Sequence, residues 1–303
     1  MPIDVLRELE PVVAANLDRH LAVAKEWMPH EYVPWSRGRD FTAEPWEPGQ
    51  TTLDAVARVS LEVNLLTEDN LPSYHHEIAT RFGRDGAWGT WVARWTAEEG
   101  RHAMCIRDYL LTTRALDPDA LERGRMAVMQ SGHRSERLSP LESLVYVSFQ
   151  ELATRVAHRN TGHHIDEPVI RRLLRRVAAD ENLHMVFYRS LVSAALELDP
   201  SAVVRAICSE VRDFAMPGTM IPGFTRKALL IAGAGIYDLR IHHDEVVLPL
   251  LRQWGVFDLT GLDAEAEEAR DRLAGFLAGL DRAAGLQRER LARVTARGAA
   301  AVN

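Results

Sequence analysis

The sequence has little cysteine, almost no lysine and no long apolar run. Cys105 and Cys208 are the only two cysteines in 303 residues. They allow one disulfide at most, which excludes a disulfide-stapled scaffold and points to a reduced, cytoplasmic chain. The longest clean apolar stretch covers residues 228–237, between Lys227 and Asp238. A bilayer takes about 20 such residues, so no transmembrane helix is expected. The N-terminus soon turns amphipathic and does not read as a signal peptide. Lysine occurs only at Lys25 and Lys227, and 36 basic residues face 43 acidic ones, a net charge of −7. That balance argues against nucleic-acid binding, which needs a basic face.

What is present is helical pattern. Hydrophobic residues make up 47% and charged residues 26%, ordinary globular values. Ile3, Leu6, Leu9, Val13, Leu17 and Leu21 recur at helical spacing. Residues 27–49 hold four prolines, three tryptophans and two glycines, and read as a long loop. Helices are expected over 51–82, 86–115, 117–132, 140–163, 166–197, 200–214, 225–251 and 263–297, with a frayed tail over 298–303. No strand alternation and no linker interrupts them. One all-α domain over residues 1–303, a bundle with additional helices, is the expected architecture.

One internal repeat carries chemistry. Ala97-Glu98-Glu99-Gly100-Arg101-His102 and Ala179-Asp180-Glu181-Asn182-Leu183-His184 share an acid-Glu-x-x-His pattern. Residues three apart lie on one helix face, so Glu99 reaches a site with His102, and Glu181 with His184. A dinuclear carboxylate bundle needs one further Glu from each of two other helices. Spacing nominates Glu68 and Glu151. Glu68 precedes Glu99 by 31 residues, and Glu151 precedes Glu181 by 30. At about 1.5 Å rise per residue, an antiparallel hairpin of that length returns the chain to the same height. The chain reads as two copies of one hairpin. Glu68 follows Leu65 and Leu66, and Glu151 lies within an apolar stretch, so both carboxylates head for burial. A cation removes the cost of burying them. Oxygen and imidazole donors without thiolate suit non-haem iron or manganese.

At these residues the chain resembles the acyl-acyl-carrier-protein desaturases, a ferritin-like di-iron family. The matching segments are TEDNLPSY at 67–74, WTAEEGRH at 95–102, SFQELAT at 148–154 and ADENLH at 179–184. The likeness covers roughly residues 1–260. It implies a ferritin-like bundle holding two iron ions. Glu68 and His102 would hold one, Glu151 and His184 the other, and Glu99 and Glu181 would bridge. It implies a threonine, Thr154, on the oxygen-binding side, and Trp27 and Trp95 on an electron route. The repeat places Asp180 as acceptor for His102 and Glu98 as acceptor for His184.

The sequence departs from the family pattern at Gly100, Leu152 and Leu183, none of them a ligand position. Arg171, Arg172, Arg175 and Arg176, with Arg155 and Arg159 nearby in sequence, form a basic helical ridge suited to an acidic carrier protein. The pairs His75-His76, His163-His164 and His242-His243 lack matched carboxylates and read as surface residues. Leu273, Phe276, Leu277 and Leu280 read as a packing stripe.

The resemblance implies oxygen-dependent insertion of a double bond into an acyl chain on acyl carrier protein, with electrons from a ferredoxin-type donor and a homodimeric enzyme. Two alternatives stay open. One is a di-iron oxygenase that hydroxylates or N-oxidises another substrate. The other is a carrier-binding protein without catalysis.

Overall fold

The computed structural model describes residues 4–132, 139–216 and 218–302. Helices α1 (Val5–Val23), α2 (Ala55–Glu68), α3 (Leu71–Phe82), α4 (Gly86–Thr112), α5 (Pro118–Ser131), α6 (Pro140–His164), α7 (Pro168–Leu198) and α8 (Pro200–Asp213) come first. Then follow α9 (Phe224–Gly233), α10 (Leu239–Ile241), α11 (Leu248–Gln253) and α12 (Ala264–Val302). No strand occurs among the described residues. The fold is a ferritin-like helical bundle.

Several boundaries follow from local chemistry. Asp54 caps α2 by accepting from the Ala57 N–H at 2.7 Å. Ser139 opens α6 with a reciprocal capping box, its hydroxyl accepting from Glu142 N at 3.1 Å. The expected helix over 51–82 is two helices, broken after Glu68. Pro72 is the reason. In an unbroken helix its nitrogen would have to donate to the Glu68 carbonyl, and it has no N–H to give.

The expected helix over 225–251 is also interrupted. Gly235 takes φ 70°, the left-handed region that suits glycine. Asp238 then caps a new start by accepting from Ile241 N at 2.7 Å, and a π-helical turn, His242–Val247, joins α10 to α11. His242 and His243 are therefore not surface residues. His243 is buried, and the His242 ring stacks on Phe214 at 5.0 Å. Helix α12 continues through Gly298 to Val302, so the expected frayed tail is helix, in keeping with the propensity of Ala299, Ala300 and Ala301; Asn303 lies outside the described residues.

The residues between α1 and α2 are irregular apart from three single turns of 3-10 helix, as expected of this Trp- and Pro-rich segment. Arg114 pins them. It is buried, donates from Nε to Gln50 Oε1 at 2.6 Å, and lies over the Phe41 ring at 4.3 Å.

Helices α2, α4, α6 and α7 form the functional core. Two apolar layers fill it. One contains Trp91, Trp95, Phe149, Tyr188 and Leu191. The other contains Leu61, Leu65, Ile106, Tyr109, Leu173 and Val177. Both E-x-x-H segments fall between these layers in the chain: on α4 after Trp95 and before Ala103, on α7 after Val177 and before Met185.

Gly100 sits inside α4 without a steric reason. A Cβ there would meet only Leu71 Cδ2, at 3.8 Å, an ordinary contact. Gly100→Ala should therefore stabilise the protein by about 0.5–1 kcal/mol. That corresponds to a rise of roughly 2 °C in Tm, read by calorimetry.

Candidate metal centre

The structure brings Glu68, Glu99, His102, Glu151, Glu181 and His184 together. All six are buried. They form two overlapping groups, each with donor atoms within 4.8 Å of one another: Glu68, Glu99, His102 and Glu181, and Glu99, Glu151, Glu181 and His184. Glu99 and Glu181 belong to both.

Both imidazoles turn Nδ1 inward. His102 Nδ1 lies 3.1 Å from Glu181 Oε1 and 3.3 Å from Glu99 Oε2. His184 Nδ1 lies 2.7 Å from Glu99 Oε1 and 3.6 Å from Glu151 Oε2. None of these contacts is aligned as a hydrogen bond. Both Nδ1 atoms, with Glu99 Oε1, Glu151 Oε2 and both oxygens of Glu181, are buried without a hydrogen-bond partner. Orphaned donors and acceptors facing one point at such cost fit a pair of divalent cations. Oxygen and imidazole ligands suit iron or manganese.

The outward nitrogens are tied. His184 Nε2 lies 2.9 Å from Glu98 Oε2, and His102 Nε2 lies 3.5 Å from Asp180 Oδ2. Each acid holds an arginine one turn earlier: Arg94 with Glu98, its Nε donating at 2.7 Å, and Arg176 with Asp180. Each also takes a third partner, a second ring. Trp27 Nε1 donates to Asp180 Oδ2 at 2.7 Å, and its ring lies parallel to His102 at 6.4 Å. His20, from α1, meets Glu98 Oε2 at 2.9 Å and stacks on His184 at 5.9 Å. Trp95 Nε1 donates to Glu151 Oε1 at 3.1 Å.

The expected site did not include His20, Arg94 or His158. His158 is buried, with Nε2 2.6 Å from Glu68 Oε1 and Nδ1 3.3 Å from Asn64 Nδ2. The Asn64 amide fits as donor to Nδ1, which leaves Nε2–H to donate to Glu68. Thr154 donates to its own helix at Gln150 O, 2.9 Å away. Glu68, Thr154 and His158 also line a cavity of about 130 Å³ between α2, α6 and α9.

Electrostatics follow from this packing. Burial alone would raise the Glu68 and Glu98 carboxyls, but imidazole partners hold both well below the usual range: His102 and His158 for Glu68, His184 and His20 for Glu98. Asp180 is likewise held at about 2, against burial, by His102, Arg176 and Trp27. Burial pushes Glu181 well up, and its neighbours Glu99, Glu151 and Glu68 add to that. Burial would lower His102 and His184, yet the surrounding acids raise both.

The arginine ridge divides. Arg176 faces inward to Asp180, and Arg172 lies over the Tyr32 ring at 5.1 Å. Arg171 bonds the Ile165 carbonyl at 3.0 Å. Arg175 joins Lys25, Arg155 and Arg159 around an open basic cleft, at whose edge the Asp180-bound Arg176 also lies.

A four-helix layer with paired E-x-x-H segments places the chain among the ferritin-like carboxylate bundles. The sequence matches the fatty acid desaturase family over residues 2–301. DesA1 of Mycobacterium tuberculosis, named as an acyl-acyl-carrier-protein desaturase, is 48% identical over 283 residues, 90% of this chain and 84% of that protein. A chloroplastic palmitoyl-acyl-carrier-protein 4-desaturase of Ophrys sphegodes is 30% identical over 291 residues, 89% of this chain and 73% of that protein. The X-ray structure of M. tuberculosis DesA2, titled as an acyl-ACP desaturase, superposes with TM-score 0.72 at 32% identity, covering 84% of this chain and 95% of that one. The chain belongs to the acyl-acyl-carrier-protein desaturase family, of the actinobacterial type, and is an oxidoreductase. No helix among the described residues is long and apolar enough to cross a membrane.

Glu181 gives a test in metal-free protein. Folding raises its carboxyl above the ordinary 4.5. The folded chain therefore keeps a proton that the unfolded chain releases, and stability falls as pH rises through that window. Glu181→Gln removes this penalty. Chelator-treated Glu181→Gln should exceed wild type in stability at pH 8, with the gain shrinking toward pH 5. Thermal scans at the two pH values check the sign.

Proposed function

We propose that the protein desaturates a saturated acyl chain carried on acyl carrier protein, using oxygen, two electrons and two iron ions per chain. The single observation that carries this reading is the buried, doubly shared set of four glutamates and two histidines. Glu68 and His102 would hold one ion, Glu151 and His184 the other, with Glu99 and Glu181 bridging. Four carboxylates against two divalent cations leave the site near charge balance, which suits an apolar interior. When bound, the iron pair supplies oxygen activation and hydrogen abstraction from an unactivated methylene.

The chain's own residues do the rest. Glu98 and Asp180 fix the tautomer of His184 and His102, so that each Nδ1 stays free to face inward. His158 orients Glu68 through its 2.6 Å contact. The narrow cavity along Glu68 and Thr154 aligns an extended chain and excludes water. Trp27, stacked on His102 and bonded to Asp180, lies on a path for electrons from a ferredoxin-type donor, and Trp95 touches Glu151 on the other half. The basic cleft offers an acidic partner protein a local patch on a chain whose net charge of −7 would repel it at long range. A homodimer in a reduced, cytoplasmic setting completes the proposal.

Iron reconstitution should give a stoichiometry near two per chain. Incubation with carrier-bound acyl chains, oxygen and reductant should yield an unsaturated product by mass spectrometry. A hydroxylated product, or binding of the carrier without turnover, would replace desaturation by one of the other two readings.

The division of labour gives a sharper test. Glu181→Gln should cost far more iron and turnover than Asp180→Asn. An amide cannot share a negative charge between two cations, whereas Asp180 only orients His102, a loss of about 10–100-fold. If Asp180→Asn loses iron while Glu181→Gln keeps both iron and turnover, the roles are reversed.

A further inference from the structure

Two residues that line the cavity beside Glu68 bear hydroxyls that the metal chemistry does not use. Ser60 on α2 and Thr161 on α6 both line it. Both side-chain oxygens are buried and have no hydrogen-bond partner. Across the cavity, α9 contributes Phe224, Ala228 and Ile231, which offer no polar side chain. A buried hydroxyl without a partner is costly, and two on one cavity call for a shared ligand.

Register places them together. Asn64 meets His158 at 3.3 Å, and Asp54 meets His164 at 3.4 Å, so α2 and α6 run antiparallel past each other. Ser60 and Thr161 fall opposite one another between these two cross-links. They lie near the surface end of the helix pair, because α2 begins at Ala55 and α6 ends at His164. Measured along the helices at about 1.5 Å per residue, Ser60 is about 12 Å from Glu68 and Thr161 about 15 Å from Glu151.

We propose that Ser60 and Thr161 seat the carbonyl oxygen of the acyl thioester. The inference rests on the reading of the substrate as a carrier-bound acyl chain. A saturated chain has one hydrogen-bonding end, its thioester, and a carbonyl oxygen has two lone pairs for two hydroxyl donors. The carrier then stands outside the His164 end, and the methyl end runs on past His158, Thr154 and Glu68. The seat fixes how far from the thioester the chain meets the metal-binding carboxylates. Ser60 and Thr161 thereby act as positioning residues that set the site of the double bond.

The test compares two ligands on acyl carrier protein: a saturated acyl thioester and an alkyl thioether of equal length, which lacks the carbonyl. Binding is read by fluorescence anisotropy of labelled carrier, in iron-loaded and in chelator-treated protein. Wild type should bind the thioester about fivefold or more tighter than the thioether. Ser60→Ala combined with Thr161→Val should bring the thioester down to the thioether's affinity, while Thr161→Ser keeps the preference. In turnover, the double variant should spread the double bond over neighbouring positions where wild type places it at one. Equal binding of the two ligands by wild type, or a preference that survives in the double variant, overturns the seat and leaves the carrier-borne substrate standing. Failure of wild type to bind either ligand removes the substrate reading and the seat with it.

Discussion

Burying four carboxylates inside a helical bundle is the constraint on which this structure depends. Glu68, Glu99, Glu151 and Glu181 all lie in the protein interior, where unpaired charge is prohibitively costly. Outside its centre, the layer gives each charge a counterpart. Two imidazoles stand within the cluster, and their outer nitrogens pass the interaction to Glu98 and Asp180. Arg94 and Arg176 then neutralise those acids from one turn away. The charge leaves the core in steps, imidazole to acid to arginine. The central cluster alone remains uncompensated, with the Glu181 carboxyl pushed well up by burial and by its acidic neighbours. Local electrostatics therefore select a cation as the natural occupant.

The same layer explains the repeat and its breaking. Arg94, Glu98 and His184 mirror Arg176, Asp180 and His102. The symmetry stops at the outermost ring, where Asp180 takes the Trp27 indole and Glu98 takes the His20 imidazole. An indole is a donor only and presents a broad π face, while an imidazole can donate or accept. The two halves thus hold equivalent Glu and His side chains in unequal surroundings. One half borders the segment that carries Trp27, and the other borders α1 through His20.

Much of this was legible in the sequence, for a physical reason. Side chains that share a helix face are fixed by local periodicity, so Glu99 with His102 and Glu181 with His184 needed no tertiary information. Matched hairpin lengths then located Glu68 and Glu151. The neighbours of those ligands were harder. His158 sits seven residues after Glu151 and shares a face with Thr154 and Thr161, a polar stripe at helical spacing, but its partner Glu68 lies 90 residues away. His20 continues the buried face of Leu9, Val13 and Leu17, and only the packing of α1 on the core gives it a role. Arg176 read as one of four equivalent surface arginines because sequence spacing does not say which turns inward. The break after Glu68 was written plainly in Pro72, and strong periodicity on both sides concealed it.

That break also joins the carboxylate layer to the cavity beside it. Ending α2 at Glu68 frees the last turn, so the side chain of Glu68 faces the cluster on one side and the cavity on the other. Along the seam of α2 and α6 the cavity wall is polar in sequence: Glu68 and Thr154, then Asn64 and His158, then Ser60 and Thr161. The wall supplied by α9 is apolar throughout its lining residues. A cavity with one wet seam and one dry wall is not indifferent to which way a chain enters. The dry wall accepts methylenes anywhere along its length, whereas the seam rewards a carbonyl only at its end. With the proposed seat, direction and depth of binding come from two hydroxyls that stand more than two helical turns from the carboxylate cluster.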